Sequence, residues 1–444
     1  MSVPQSIASL ARRWRPELVS ILALRIWQAL AGLVSTLLAV HYLTPELQGW
    51  YYSFLSVASL YTLFDLGLST VLLQIAAHSF VGLRWASGNR LEGERSARFR
   101  SLLGKSVRWY AIAAIAFFAL LLPGGWAFFS AKASADIVWG PCWLALCTFT
   151  AGGLVVLPFL AVLEGSGQIA QVYSVRLATA VLGSLACWTA LAAGGRLWAT
   201  AMTPAMALGV PLVWLACRHR PLVALARDDP GQGYRWRDEV WPLQWRLGLN
   251  WLCAYLLTQI YTPYLFYTQG AVVAGQFGLS LTVVNTIALV SQSWLMRRVP
   301  AMAQAAATRD WRRLDRLFWR DFGMTLGVFA SGSAALLGVA RLIAGLPIAH
   351  RLLPWPQLAG LVVFAFAAQL IGGLALQLRS FRREPLVWLN LCATAITLPA
   401  ALYAARLYSS AGLVAVLASI NVALTLPAGI AIWYRCNRHW RATP

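Results

Sequence analysis

The sequence predicts an all-α polytopic membrane protein of about twelve transmembrane helices in two six-helix bundles, with both termini cytoplasmic. Three observations predict it. About twelve stretches of roughly twenty mostly apolar residues run almost end to end. The arginines gather in every second gap between them. The longest inner segment falls near the middle of the chain.

A hydrocarbon core about 30 Å thick needs about 20 helical residues to cross it, at about 1.5 Å per residue. Candidate spans lie near 18–40, 50–77, 107–129, 137–163, 172–192, 197–217, 244–268, 270–296, 322–345, 355–378, 385–407 and 410–434. The first follows basic residues, as a signal peptide would, but it is too long and lacks a small-residue cleavage site, so it is expected to stay attached. Lys and Arg resist translocation, whereas Asp and Glu matter little. With the amino terminus inside, the inner segments carry Arg12, Arg13 and Arg15, then the groups Arg84 to Lys105, Arg218 to Arg237, Arg297 to Arg320, Arg379 to Arg383 and Arg435 to Arg441. That is about 27 basic residues against about five on the other side, namely Lys132, Arg196, Arg341, Arg351 and Arg406.

The segments between spans set the domain organisation: an N-terminal bundle over 1–217, a cytoplasmic connecting loop over 218–243 and a C-terminal bundle over 244–444. Such a division suits an internally repeated transporter. A short echo supports the repeat. Gly49-Trp-Tyr-Tyr-Ser-Phe-Leu-Ser-Val57, early in span two, resembles Gly275-Gln-Phe-Gly-Leu-Ser-Leu-Thr-Val283, early in span eight. Within the inner segment 303–321, Trp311, Leu314, Leu317 and Phe318 alternate with Arg312, Arg313, Arg316 and Arg320, the spacing of an amphipathic helix lying on the inner leaflet.

Composition excludes several classes. The formal net charge of +21 would suggest nucleic acid in a soluble protein. Here the residues are 59% hydrophobic, and the arginines serve as topological anchors that meet anionic headgroups. No nucleic-acid partner is expected. The seven cysteines form no CxxC pair, so neither a disulfide framework nor a metal site is indicated, and no cofactor is expected. The predicted outer loops are about 15 residues or fewer, which leaves no room outside for a catalytic domain.

Charges at membrane depth are costly, at about 2.5–3.5 kcal/mol on insertion scales, so those that remain are functional candidates. Arg25 lies about two turns into span one. Gln28, Gly32, Ser35 and Thr36 continue its face, as if toward a wet cavity, the alternative being that Arg25 snorkels to the near headgroups. Asp65, near the middle of span two, cannot snorkel, and the preceding helix offers Arg25 as its partner. Arg246 opens span seven, followed at helical spacing by Asn250 and Thr258. Arg176 sits in span five below Thr179 and Gly183. A cationic set leaning to the inner side suits an anionic substrate, because the guanidinium binds phosphate through a bidentate fork and stays charged.

The stretch Tyr42-Leu-Thr-Pro-Glu-Leu-Gln-Gly49-Trp-Tyr-Tyr-Ser-Phe54, followed by Leu63-Phe-Asp-Leu-Gly-Leu-Ser-Thr-Val-Leu-Leu-Gln74, resembles the first two spans of polysaccharide exporters and O-antigen flippases of the multidrug/oligosaccharidyl-lipid/polysaccharide (MOP) superfamily. The resemblance is clearest over residues 20–110. It implies two six-helix bundles with alternating access around a central cavity, in a bacterial inner membrane. It further implies an undecaprenyl-pyrophosphate-linked oligosaccharide, moved from the cytoplasmic to the periplasmic leaflet for O-antigen (lipopolysaccharide), capsule or exopolysaccharide synthesis. Its implied partners are membrane lipids and glycan polymerase or other surface-polysaccharide assembly proteins. On this reading Arg25, Arg176 and Arg246 receive the pyrophosphate, Gln28, Asn250 and Thr258 meet sugar hydroxyls, and Asp65 is an ion-coupling candidate. The alternatives are a membrane-embedded glycan polymerase or ligase, for which the outer loops show no acid–base constellation, and a secondary transporter of the major-facilitator or drug-efflux type.

Overall fold

The computed structural model describes residues 16–80, 83–86, 90–92, 96–132, 136–225, 241–381 and 385–442. The basic cluster at Arg12, Arg13 and Arg15, most of the connecting loop 218–243 and the side chain of Arg246 lie outside the described residues. The chain is helical almost throughout, as a lipid-spanning backbone must be to satisfy its own N–H and C=O groups. In chain order the helices are α1 (Pro16–Tyr42), α2 (Pro45–Ala58), α3 (Tyr61–Asp65), α4 (Leu68–Ser79), α5 (Ser96–Ser130), α6 (Gly140–Gly165), α7 (Ile169–Ala192), α8 (Ala199–Arg218) and α9 (Arg220–Leu225). They continue as α10 (Trp241–Thr258), α11 (Tyr261–Gln269), α12 (Ala271–Met296), α13 (Val299–Ala307), α14 (Trp311–Leu342), α15 (Trp355–Arg379), α16 (Val387–Ile420) and α17 (Leu426–Ala442). One small antiparallel hairpin, β1 (Arg84–Ala86) with β2 (Arg90–Glu92), pairs Arg84 with Glu92 and Ala86 with Arg90 in the segment after span two.

Among the described residues, ten runs are long and apolar enough to cross a membrane. The difference from twelve has a structural cause. The 55-residue run Val387–Arg441 contains two spans, because Tyr408 and Ser409 leave helical geometry, the latter at φ 55° and ψ −147°. Span seven is divided between α10, 18 residues long but too polar through Gln244, Arg246 and Asn250, and the nine-residue α11, which is too short alone. Span two is also broken: Leu66 and Gly67 both take left-handed backbone angles, φ 48° and 69°. Glycine supplies that conformation without a Cβ clash, and the Leu66 turn is held against Gly248 of α10.

Two helices begin well before the hydropathy predicts. α5 starts at Ser96 rather than near 107, and α14 at Trp311 rather than near 322. The expected separate interfacial helix over 303–321 is therefore corrected. Its first part is α13, and from Trp311 onward it is the first three turns of span nine, started by Asp310, whose carboxylate accepts from the Arg313 N–H at 3.0 Å. Arginine-rich turns end a hydropathy window but do not end a helix, since arginine is a good helix former.

By packing, the chain divides into two compact units. One comprises Met1–Ala31 and Ala58–Trp251, the other Gly32–Val57 and Leu252–Pro444. In the first, a buried cluster joins α4 to α9 through Ala76, Phe99, Leu103, Leu163, Val172 and Leu222. In the second, Leu295, Met302, Leu314, Phe318, Phe322 and Leu374 close α12 to α15. The outer half of span one and α2 belong to the second unit, so the packing boundary runs through α1.

Candidate functional site

The charged cluster of the first unit grows from three helices. α1 is fixed to α7 by the Trp27 indole, whose Nε1 donates to Ser184 Oγ at 3.0 Å and whose ring lies 6.0 Å from that of Trp188. Two residues before Trp27, exposed Arg25 donates through Nη1 to Gln28 Oε1 at 3.3 Å, the i, i+3 pairing that the sequence spacing allows. On α7, Tyr173 and Arg176 are also i, i+3 neighbours, with the guanidinium carbon 5.1 Å from the ring centre. Arg176 Nη2 stands 2.8 Å from Glu164 Oε2 at the end of α6. The Tyr173 hydroxyl is turned to the same carboxylate and lies within electrostatic reach of both Arg176 and Arg25. Glu164 is set by a close helix crossing: a Cβ on Gly165 would fall 2.6 Å from the Leu73 carbonyl oxygen of α4.

The cluster thus contains Arg25, Gln28, Glu164, Tyr173 and Arg176, with one positive charge in excess. Glu164 is nearly buried, at 11% side-chain exposure, and sits at a helix C-terminus, where the macrodipole disfavours an anion. Its retention there is offset by the Arg176 contact. Neither Glu164 nor Tyr173 is singled out by the sequence. Glu164 falls one residue beyond the predicted end of span four, and Tyr173 carries no signal except its spacing to Arg176.

Asp65 departs from expectation. Its carboxylate accepts from the Ser69 N–H at 3.3 Å, the Ser69 hydroxyl at 3.0 Å and the Tyr110 hydroxyl of α5. The expected ion pair with Arg25 is not formed. The break at Leu66–Gly67 ends α3 at Asp65 and starts α4, and the carboxylate caps the new helix start. In the stripe above Arg25, Gly32 packs beside α12, where a Cβ would lie 3.4 Å from Thr286 Oγ1, and half-buried Thr36 donates to the Gly32 carbonyl of its own helix at 2.9 Å. On α10, Asn250 is half-buried in the first unit. Thr258 lies in the second unit and donates to the Ala254 carbonyl of its own helix at 2.7 Å.

The second unit holds a fully buried carboxylate. Asp321 of α14 receives Arg297 Nη2 at 2.8 Å and Arg298 Nε at 3.1 Å from the joint between α12 and α13. From inside α14 it ties down the joint between α12 and α13, as a structural clamp would.

No protein-family model matches the chain, and no curated protein matches it significantly. Solved structures do. A multidrug resistance MATE family transporter of the MOP superfamily, in an inward-facing conformation, is 13% identical, with 93% of this chain and 95% of that one covered, at a TM-score of 0.64. The MATE multidrug transporter DinF-BH, in a ligand complex, is 14% identical over 100% of this chain and 98% of its own, at 0.62. A MOP superfamily transporter from Pyrococcus furiosus Vc1 (DSM3638), whose binding pocket is described as having reverse polarity suggesting a different function, is 14% identical over 97% of each chain, at 0.53. The chain is therefore a multi-pass helical membrane protein with the fold of these MOP-superfamily structures.

Proposed function

We propose that this protein is a transporter of the MOP type that carries an anionic, lipid-linked oligosaccharide, with a pyrophosphate-bearing headgroup, from the inner to the outer leaflet of a bacterial inner membrane. The observation that carries the reading is the Arg25–Arg176 cluster, whose carboxylate, Glu164, leaves positive charge in excess. Among the described residues, exposed Arg25 has only a neutral amide as hydrogen-bond partner, so its guanidinium can take a phosphate oxygen without first breaking an ion pair. Gln28 beside it offers an amide to sugar hydroxyls. Arg246 and Asn250 of α10 and Thr258 remain proposed contacts further along the glycan, and Asp65 remains a proposed coupling group. Two six-helix bundles divided near 218–243 are the proposed moving bodies, and surface-polysaccharide polymerases are the proposed recipients of the product.

Drug efflux is the second reading, favoured by neighbours that are multidrug transporters, one of them in a ligand complex. A cationic drug is repelled by Arg25 and Arg176, whereas an anionic one is not. The deciding experiment follows the sidedness of lipid-linked oligosaccharide in cells with and without the protein, using a glycan-modifying enzyme confined to the periplasm. Glycan held on the inner leaflet without the protein, and exposed again on re-expression but not by Arg25→Ala, supports the first reading. Normal exposure in its absence, with loss of resistance to anionic drugs, supports the second.

A further inference from the structure

The ends of α14 and α17 on the side predicted to be cytoplasmic, both in the second unit, meet at a seam that the proposed binding cluster does not use. Asp315 of α14 accepts both arms of the Arg441 guanidinium, Nη1 at 2.7 Å and Nη2 at 2.5 Å. Arg441 Nε also donates to Asn437 Oδ1 at 2.9 Å, and the guanidinium carbon lies 5.7 Å from the Trp311 ring centre. One turn further along α14, Trp319 stands against Trp433, with ring centres 5.9 Å apart. Asp315 meets Arg441 while Trp319 meets Trp433, so the two helices run antiparallel. α15 closes one side of the seam. Gln377 Oε1 accepts from Trp433 Nε1 at 2.8 Å, and the Phe381 ring lies 5.8 Å from that of Trp311 and 5.5 Å from that of Trp440.

The other side carries the charge. At about 100° per residue, Arg312 and Arg316 follow Asp315 and Trp319 round α14, away from α15. Tyr434 and Arg438 follow Asn437 and Arg441 round α17 by the same steps. Because the helices are antiparallel, both sets turn to one side of the seam. Trp319 and Tyr434, 51% and 58% exposed, lie toward the membrane, and exposed Arg312, Arg316 and Arg438 lie one to two turns nearer the inner surface. Aromatic rings at the headgroup boundary with basic side chains beyond them suit a lipid whose head is anionic. Among the described residues no carboxylate offsets these arginines: Asp315 is held by Arg441, Asp310 is committed to the start of α14, and none of the three guanidiniums has an ion-pair or hydrogen-bond partner. Diffuse attraction to a charged leaflet needs no shape. Here three arginines from two helices line one groove, and the Asp315–Arg441 fork fixes their spacing in advance.

We propose that this groove is a binding site for an anionic phospholipid of the inner leaflet, one that carries two phosphates. A single phosphate diester has one charge and is matched by one guanidinium fork, so three arginines exceed it and fit a diphosphatidyl headgroup. The acyl chains then run past Trp319 and Tyr434 into the bilayer. A lipid held there bridges α14 and α17 beside the Asp315–Arg441 fork. The inference rests on residues of the second unit alone and does not depend on what the protein carries.

The test is native mass spectrometry of the purified, delipidated full-length chain, titrated with diphosphatidylglycerol, phosphatidylglycerol or phosphatidylcholine. The parent is expected to bind the first at least about tenfold more tightly than either of the others. Combining Arg312→Ala, Arg316→Ala and Arg438→Ala should remove that preference. Combining Arg108→Ala, Arg218→Ala and Arg220→Ala, at three exposed arginines of the first unit, removes the same charge and should leave it. If the triple seam variant does not reach the membrane, Arg316→Ala alone decides, with an expected loss of about threefold or more. A parent that binds the three lipids alike, unchanged binding in the seam variant, or an equal loss in the first-unit variant overturns the site. Displacement of the lipid by an equal concentration of inorganic pyrophosphate assigns the groove to a soluble anion and overturns the lipid reading.

Discussion

Removing the partners of Asp321 one at a time should reveal a strongly non-additive loss of stability. The carboxylate is fully buried and receives two guanidiniums, while Arg297 and Arg298 are themselves 51% and 35% exposed in their side chains. Either arginine alone still supplies a charged hydrogen bond, so Arg297→Gln or Arg298→Gln should cost about 1 kcal/mol, the low end for a charge-assisted bond with an exposed donor. The double substitution strands a buried charge, and breaking such a pair typically costs about 3–5 kcal/mol. The coupling beyond the sum of the single changes is then about 1–3 kcal/mol. Asp321→Asn should be milder, near 2 kcal/mol, because the two arginines can turn to water and the neutral amide needs no counter-charge. The assay is unfolding in mixed detergent–SDS micelles followed by tryptophan fluorescence, for which the chain carries 22 indoles. A double variant equal to the sum of the singles, or Asp321→Asn as damaging as the double, would refute the clamp.

Glu164→Gln should free Arg176 and tighten binding of a pyrophosphate lipid to purified protein about fivefold or more, a coupling of about 1 kcal/mol; unchanged affinity would mean that Glu164 and the ligand do not compete. Ser409 sits in a backbone region that suits glycine, so Ser409→Gly should stabilise by about 1 kcal/mol in the same unfolding assay. His219, between α8 and α9, packs against Trp214 with ring centres 4.4 Å apart and planes tilted by 59°, and burial together with Arg218 lowers its pKa. A histidine kept neutral by the fold contributes stability above its unfolded pKa of about 6.5 and loses it as pH falls through the folded value. Stability should accordingly decline with acid in that window in the parent and decline less in His219→Phe, as thermal unfolding at pH 5 to 8 will show.

The positions of the membrane passes were legible because each needs a long apolar run, and burying such a run leaves few arrangements open. What hydropathy could not register was continuity. It does not register the extensions that begin at Ser96 and Trp311, where arginine does not interrupt a helix, the left-handed turn at Leu66–Gly67, or the lapse in helix hydrogen bonding at Gln259–Ile260. For Asp65, the expected partner on α1 gives way to Ser69, which helical spacing already places on its face, and to Tyr110 of α5, which no local pattern marks. Arg25 with Gln28 followed from local spacing and is seen in contact. The approach of Arg176 to Glu164 depends on how α6 meets α7, which no local pattern encodes.

The break in span two also shapes the field around the arginines. A mid-membrane carboxylate on a straight helix would face the nearest cation and cancel much of its potential. Here the amide of Ser69 and two hydroxyls solvate it in place of a guanidinium. The two positive-φ residues, Leu66 and Gly67, thus leave Arg25 without the acid of span two as an ion-pair partner, and its guanidinium fork can meet an anion directly.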